Sequence, residues 1–95
     1  MAAYVIADVD VKDPATYDEY RRQVLATIEA YGGRFLVRAG AHQTLEGDWK
    51  PGRMVVLEFP DMAALKAWYD SAEYGPLIKL RQSASSGKLV AVEGV

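Results

Sequence analysis

Four stretches of the chain have the apolar, β-branched character of β-strands. The first, AAYVIADVDV, alternates with a period of two: Val5, Ala7 and Val9 fall on one face and Ile6 and Asp8 on the other. The other three predicted strands are RFLVRAGAHQTLEG (34–47), RMVVLEF (53–59) and KLVAVEGV (88–95).

Apolar residues with the helical period follow the first and third predicted strands. The first helix has Asp13 as its cap, Pro14 as its first residue and Gly32-Gly33 at its end. Its apolar stripe is Tyr17, Tyr20, Val24, Ile28 and Tyr31. The second helix begins at Pro60-Asp61 and should place Leu65, Trp68, Tyr69 and Ala72 toward the core. Gly75-Pro76 breaks it, and we expect a short helical segment and then a mobile serine-rich connection.

The order of elements is therefore β-α-β-β-α-β, which predicts an α+β, ferredoxin-like fold. In this fold two helices cover one face of a four-stranded antiparallel sheet. The GDWKPG connection (47–52) is too short for the crossover that parallel strands would need. We expect one domain over residues 1–95.

Composition excludes several classes of function. The 95 residues include no cysteine and one histidine, so disulfides, thiolate catalysis and a metal site built from cysteines or histidines are not expected. The net charge is −2 and the basic residues are scattered, which argues against nucleic-acid binding. No apolar run is long enough to span a bilayer, and no basic segment precedes the first apolar stretch, so a soluble, cytoplasmic chain with no membrane partner is expected.

A tight hairpin between the second and third strands would place Leu45 opposite Arg53. In that register Gly40 lies opposite Glu58, and Arg38 is the diagonal neighbour of Glu58 on the face away from the helices. A one-residue bulge near Gly40 would break this parity.

The same register leaves an apolar sheet surface that the two helices do not cover. Its members would be Ile6, Leu36, Met54 and Val56. A second copy of the chain is the simplest cover for such a patch, so we predict a homodimer with the two sheets packed face to face.

Three segments, GGRFLVRAG, LEGDWKPGRMVVLEFPD and AWYDSAEYGPLIKLRQ, together resemble the domain-of-unknown-function 1330 family of the dimeric α+β barrel superfamily. The resemblance covers essentially the whole chain. It implies a ferredoxin-like protomer and a dimeric barrel, and no established activity. Relatives in the superfamily include monooxygenases that need no added cofactor, haem-degrading enzymes, isomerases, dehydratases and sensory or structural modules, so membership alone does not assign a function.

Three residues are candidates for catalysis. Arg38 could hold a ligand carboxylate or enolate while Glu58 orients it or moves a proton; in the alternative interpretation they form a buried structural ion pair. His42 is a candidate general base because it is the one histidine of the chain, although its place toward the end of a hairpin also suits a solvated or interface histidine.

Four further residues are candidates for ligand binding. Tyr17, Tyr20 and Trp68 lie on predicted helix faces, where they either pack in the core or form the aromatic wall of a pocket between helices and sheet. Asp8 either joins the polar group around Arg38 or is solvated. Arg81, after the Gly75-Pro76 break, could seal such a pocket or pair with a partner chain.

Two functions of different classes follow. The first is a cofactor-independent enzyme or binder of a small aromatic or acidic metabolite, with an enclosed pocket of roughly a few hundred Å³. The second is a non-catalytic dimeric module, structural or for interaction, in which Arg38 and Glu58 satisfy each other. No bound cofactor or metal is expected for either.

Overall fold

A computed structural model describes residues 1–95 and has seven regular elements. In chain order they are β1 (Ala3–Val11), α1 (Pro14–Ala30), β2 (Arg34–Arg38), β3 (Arg53–Phe59), α2 (Met62–Tyr69), α3 (Gly75–Ala84) and β4 (Ser85–Glu93). The strands form one antiparallel sheet in the order β2-β3-β1-β4. The predicted ferredoxin-like α+β fold is confirmed, and α3 is the helical segment expected after Gly75-Pro76.

The helices cover one face of the sheet, which we call the covered face. Along β1 every second residue is buried, from Ala3 through Val9, whereas the residues between them are partly exposed. The buried strand residues form one hydrophobic core with residues of all three helices, including Ile28, Trp68 and Leu77. The opposite side, the open face, carries Ile6 and Asp8 of β1 together with Val56 and Glu58 of β3.

Both predicted helix caps are present. The Asp13 carboxylate accepts a hydrogen bond from the Thr16 backbone N–H at 3.2 Å, and Asp61 accepts one from Ala64 N–H at 2.7 Å. Gly32 has a φ of +79°, which favours glycine just past a helix end. No helix combines the length and the apolar character needed to cross a bilayer.

The connection between β2 and β3 differs from the predicted tight hairpin. β2 ends at Arg38, and the next residue, Ala39, has a φ of +57° that turns the chain out of the ladder. Residues 39–52 then form a long irregular loop. The predicted Leu45–Arg53 register is therefore wrong.

The expected mobile serine-rich connection is wrong: Ser85 and Ser86 begin β4 and pair with Val11 and Asp10. In α2 the expected core positions are confirmed for Leu65 and Trp68, which are buried, and wrong for Tyr69, which is 38% exposed. Ala72 is exposed beyond the end of the helix.

Candidate functional site

A cavity lies between the helices and the covered face, and most of its polar lining is arginine and tyrosine. The arginines are Arg21, Arg38, Arg53 and Arg81, and the tyrosines are Tyr17, Tyr20 and Tyr74. No aspartate, glutamate or histidine lines it. Its volume is about 40 Å³, room for about three water molecules.

Arg81 is the most deeply buried of the arginines. The helical spacing of Leu77, Arg81 and Ala84 puts all three on the inner side of α3, and only 5% of Arg81 is exposed. Its Nε has no hydrogen-bond partner, and no carboxylate lies within ion-pair distance. Because a guanidinium keeps its charge in proteins, the fold holds an uncompensated cation beside the cavity.

Two tyrosine hydroxyls meet near this cation. The Tyr20 and Tyr74 oxygens are 2.8 Å apart, and Trp68 stacks on the Tyr74 ring at 4.1 Å between centroids. Burial raises the pKa of both tyrosines, while the nearby Arg81 charge partly opposes the rise. Both hydroxyls are therefore protonated at neutral pH. Their mutual hydrogen bond uses one of the two hydroxyl protons.

Arg53 and Arg38 complete the charged lining from the sheet side. The Arg53 guanidinium lies 5.5 Å from the centre of the Tyr17 ring, and its buried Nε also lacks a partner. Arg38 lies 4.3 Å from the centre of the Phe35 ring and donates from Nη2 to the Arg21 carbonyl at 3.0 Å. Arg38 thereby bridges β2 and α1.

The site offers many hydrogen-bond donors and positive charge but no basic acceptor. Arginine cannot deprotonate, and burial holds the Tyr20 and Tyr74 hydroxyls protonated. Such a set suits oxygen atoms that carry negative charge, as in a carboxylate, phenolate or enolate. It lacks a general base of its own.

The predicted pairing of Arg38 with Glu58 is wrong. Arg34 lies opposite Glu58, but a bulge between Phe35 and Val37 shifts the register, and Arg38 lies opposite Val55. Because side chains alternate along a strand, the extra residue moves Arg38 to the covered face and leaves Glu58 on the open face.

Glu58 instead pairs with Arg34, which begins β2, the strand that ends at Arg38. The Arg34 Nε and Nη2 atoms each lie 2.8 Å from Glu58 Oε1. The Arg34 side chain is largely exposed. Glu58 is thus half of an ion pair on the open face, remote from the cavity lining.

The structure divides the other predicted site residues between two places. Tyr17, Tyr20 and Trp68 line the cavity together with Arg38. His42 lies in the 39–52 loop, where its Nε2 contacts the Pro51 carbonyl at 3.1 Å. Their roles in binding or catalysis stay predictions.

Asp8 anchors the 39–52 loop to the open face. Its carboxylate accepts hydrogen bonds from Trp49 Nε1 at 2.8 Å and from the Gly52 backbone N–H at 3.0 Å. These bonds, the Trp49 bond foremost, lower the pKa of the Asp8 carboxyl. Of the two alternatives for Asp8, membership in a polar group around Arg38 does not hold, since the two residues lie on opposite faces of the sheet.

Sequence reasoning missed Arg53 and Tyr74 as site candidates, and it considered Arg81 only as a residue that could seal a pocket or pair with a partner chain. Both arginines had a signal. Arg53 shares the parity of Val55 and Leu57 along β3, and Arg81 falls on the apolar stripe of α3. A cationic side chain at a position where the pattern places apolar residues is unusual, and it indicates a candidate functional site. Tyr74 lies just before α3, outside any periodic pattern.

The chain belongs to the family described as "Domain of unknown function (DUF1330)", whose model matches residues 2–95. The family resemblance is thereby confirmed. No curated protein matches the chain.

Solved structures with the same fold share little sequence with this chain. A protein of unknown function from Rhodopseudomonas palustris, RPA0582, is 19% identical with a TM-score of 0.81, covering 99% of this chain and 82% of its own. SnoaB, a cofactor-independent oxygenase from Streptomyces nogalater, is 13% identical with a TM-score of 0.67, over 99% and 93%. A dimeric ferredoxin-like protein of unknown function from Jannaschia sp. CCS1 is 14% identical with a TM-score of 0.67, over 99% and 100%. At these identities the likeness establishes the fold alone.

Proposed function

We propose that this protein binds a small anionic molecule in the cavity between its helices and its sheet, as a cofactor-independent enzyme or as a binding protein. The ligand class is a carboxylate, phenolate or enolate. The observation that carries the proposal is the buried Arg81 guanidinium, which faces the cavity with an unpaired Nε and no carboxylate partner.

The cost of this arrangement supports a ligand-binding role. A buried charge without a partner is destabilising, and folded proteins retain such groups mainly where a function uses them. Arg53 adds a second buried Nε without a partner at the same cavity. An anion with two or more oxygen atoms would satisfy both donors.

The tyrosine pair favours the enzyme form of this proposal. A protonated hydroxyl beside a guanidinium can stabilise an oxygen that gains negative charge during a reaction. The site has no general base, so a substrate must ionise readily by itself. The cofactor-independent oxygenase among the proteins of the same fold is consistent with such chemistry, and the likeness extends only to the fold.

Ligand binding can be tested with a panel of aromatic and aliphatic acids, read out by thermal shift and isothermal titration calorimetry. We expect at least one acid to raise the melting temperature, and Arg81→Met to weaken its binding by roughly tenfold or more. Arg34→Met is the matched control, because Arg34 is an arginine of the open face, and it should leave binding unchanged. A panel without any hit, or equal losses in the two variants, contradicts the proposal.

For assembly we propose a homodimer through the open face, as the sequence pattern predicts. Leu36, Val37, Val90 and Val92 are large apolar side chains left exposed on or beside this face. In analytical ultracentrifugation we expect the wild type to sediment as a dimer and Val90→Glu to shift it to the monomer. Leu25→Glu changes an exposed apolar residue of α1 and should leave the dimer intact. A wild type that stays monomeric at every concentration contradicts this interface.

A non-catalytic module is the alternative for the same dimer. It predicts that the four cavity arginines serve packing only. In that case no acid binds, and the variants of Arg81 change stability without changing the affinity for any ligand.

A further inference from the structure

The cavity is too small for most of the ligands it could attract. Its volume is about 40 Å³, whereas a cavity that takes up benzene measures roughly 150 Å³. An acidic group of a few atoms fits beside Arg53 and Arg81. The rest of a larger acid has no space within the closed cavity.

The exposed part of the cavity lining lies between α1 and β2. Among the lining residues only Arg21 and Arg38 are exposed, and the others are buried or partly buried. The same two arginines line a surface depression of about 470 Å³, which Asp18 and Arg22 complete. The side chains of Arg21 and Arg38 thus separate an inner and an outer space.

The outer depression has the charge expected of an entrance for anions. Its lining holds three arginines and one aspartate. Asp18 is paired with Arg21 at 3.1 Å and Arg22 with Glu19 outside the lining, so Arg38 is the arginine without a carboxylate partner. An excess of positive charge in a concave surface raises the local concentration of anions.

We infer that the ligand is an acid with a head and a tail: its anionic head lies in the inner cavity at Arg81 and Arg53, and its tail passes between α1 and β2 into the outer depression. Arg38 controls the rate at which the ligand enters and leaves through this passage. The inference rests on the proposed anion site and adds the shape of the ligand and the route by which it enters.

Arg38 is held in a way that allows this role. Its side chain has one hydrogen bond to the Arg21 carbonyl, stacks on Phe35, and pairs with no carboxylate. Breaking one exposed hydrogen bond costs little free energy. The bulge after Phe35 is what brings Arg38 to this side of the sheet, so the passage depends on that local irregularity.

A series of straight-chain carboxylates from acetate to octanoate tests the passage. Calorimetry at constant ionic strength gives affinities, and stopped-flow fluorescence of Trp68 gives rates, with a Trp49→Phe variant to assign the signal. We expect affinity to rise with tail length. Arg38→Ala should raise both the association and the dissociation rate of octanoate by roughly tenfold while changing the affinity for acetate by less than about threefold. Arg34→Ala is the control and should change neither.

The outcomes separate this inference from the anion site itself. If acetate binds and Arg81→Met abolishes its binding, but octanoate binds no tighter than acetate, the head-and-tail ligand is contradicted and the anion site stands. Octanoate rates that are unaffected by Arg38→Ala contradict the passage between α1 and β2. If no straight-chain carboxylate binds but an aromatic acid does, the head-and-tail ligand is contradicted and the anion site stands; if neither series binds, both proposals fail.

Discussion

Charged residues on the two sides of the sheet differ in whether they have hydrogen-bond or ion-pair partners. On the open face Glu58 has Arg34 as its partner, and Asp8 accepts hydrogen bonds from Trp49 and Gly52. On the helix side of the sheet, Arg81 of α3 is almost fully buried and Arg53 of β3 is half-buried, and each has a buried Nε without a partner. The carboxylates of the open face are thus paired or hydrogen-bonded, whereas the buried Nε atoms of these two arginines are not.

This contrast separates structural charges from candidate functional ones. An exposed charge is solvated by water, so its pairing contributes little and requires no explanation. A buried guanidinium without a carboxylate costs free energy that the remainder of the fold must offset. The covered face therefore identifies the candidate site, whereas the single acid within the apolar run of β3, Glu58, does not.

The strongest test of the contrast is to remove the buried charge. Arg81→Met keeps an unbranched side chain of similar length and removes the unpaired donor, so we expect the free energy of unfolding of the ligand-free protein to rise by about 1–3 kcal/mol. Urea denaturation measures it. Arg34→Met on the open face should stay within about 0.5 kcal/mol of the wild type. A loss of stability in Arg81→Met would show that Arg81 is structural.

The free energy of unfolding should fall when either hydroxyl of the Tyr20–Tyr74 pair is removed. Tyr20→Phe and Tyr74→Phe each leave a buried hydroxyl without its hydrogen bond and should each cost about 1–2 kcal/mol of unfolding free energy. The double variant should cost about 1 kcal/mol less than the two single costs combined, since it removes both hydroxyls. Thermal unfolding of the four proteins gives the coupling. Additive costs would mean that the two hydroxyls act independently.

Glu58→Gln should change the free energy of unfolding by less than Arg81→Met or the tyrosine variants do. The Arg34–Glu58 pair is solvent-exposed on the arginine side, so we expect a loss below about 1 kcal/mol in urea denaturation. Binding of any acid that the wild type recognises should be unchanged in calorimetry. A loss of ligand binding in Glu58→Gln would move the site to the open face.

The smallest expected effect is local and depends on pH. Hydrogen bonds from Trp49 and Gly52 hold the pKa of Asp8 below its usual 3.8, so the carboxylate stabilises the folded loop above that value and loses the contribution as pH falls through the lower folded pKa. Trp49 fluorescence should therefore stay constant from neutral pH to about pH 4 and change below it. In Asp8→Ala the Trp49 fluorescence should have its low-pH value at every pH. A change centred near neutrality would indicate another group.

Much of the fold was predictable because its signals are local. Caps at Asp13 and Asp61, the helical stripe of α1 and the alternation of β1 each depend on residues a few positions apart. The candidate site was predictable only in part. Tyr17, Tyr20 and Trp68 were candidates for either the core or a pocket wall; they are core residues that also line the cavity, and their role in binding stays a prediction.

The sequence by itself determined the order of elements, the caps and the face that β1 buries, because local propensity and periodicity are enough for these. Tertiary structure alone decided which charges meet. One bulged residue between Phe35 and Val37 moves Arg38 from the open face, where Glu58 lies, to the covered face. Side chains alternate across a strand, so a shift of one residue reverses their direction. No local pattern marks that bulge, and the docking of α3, which brings Arg81 beside the Tyr20–Tyr74 pair, exists only in the packed molecule.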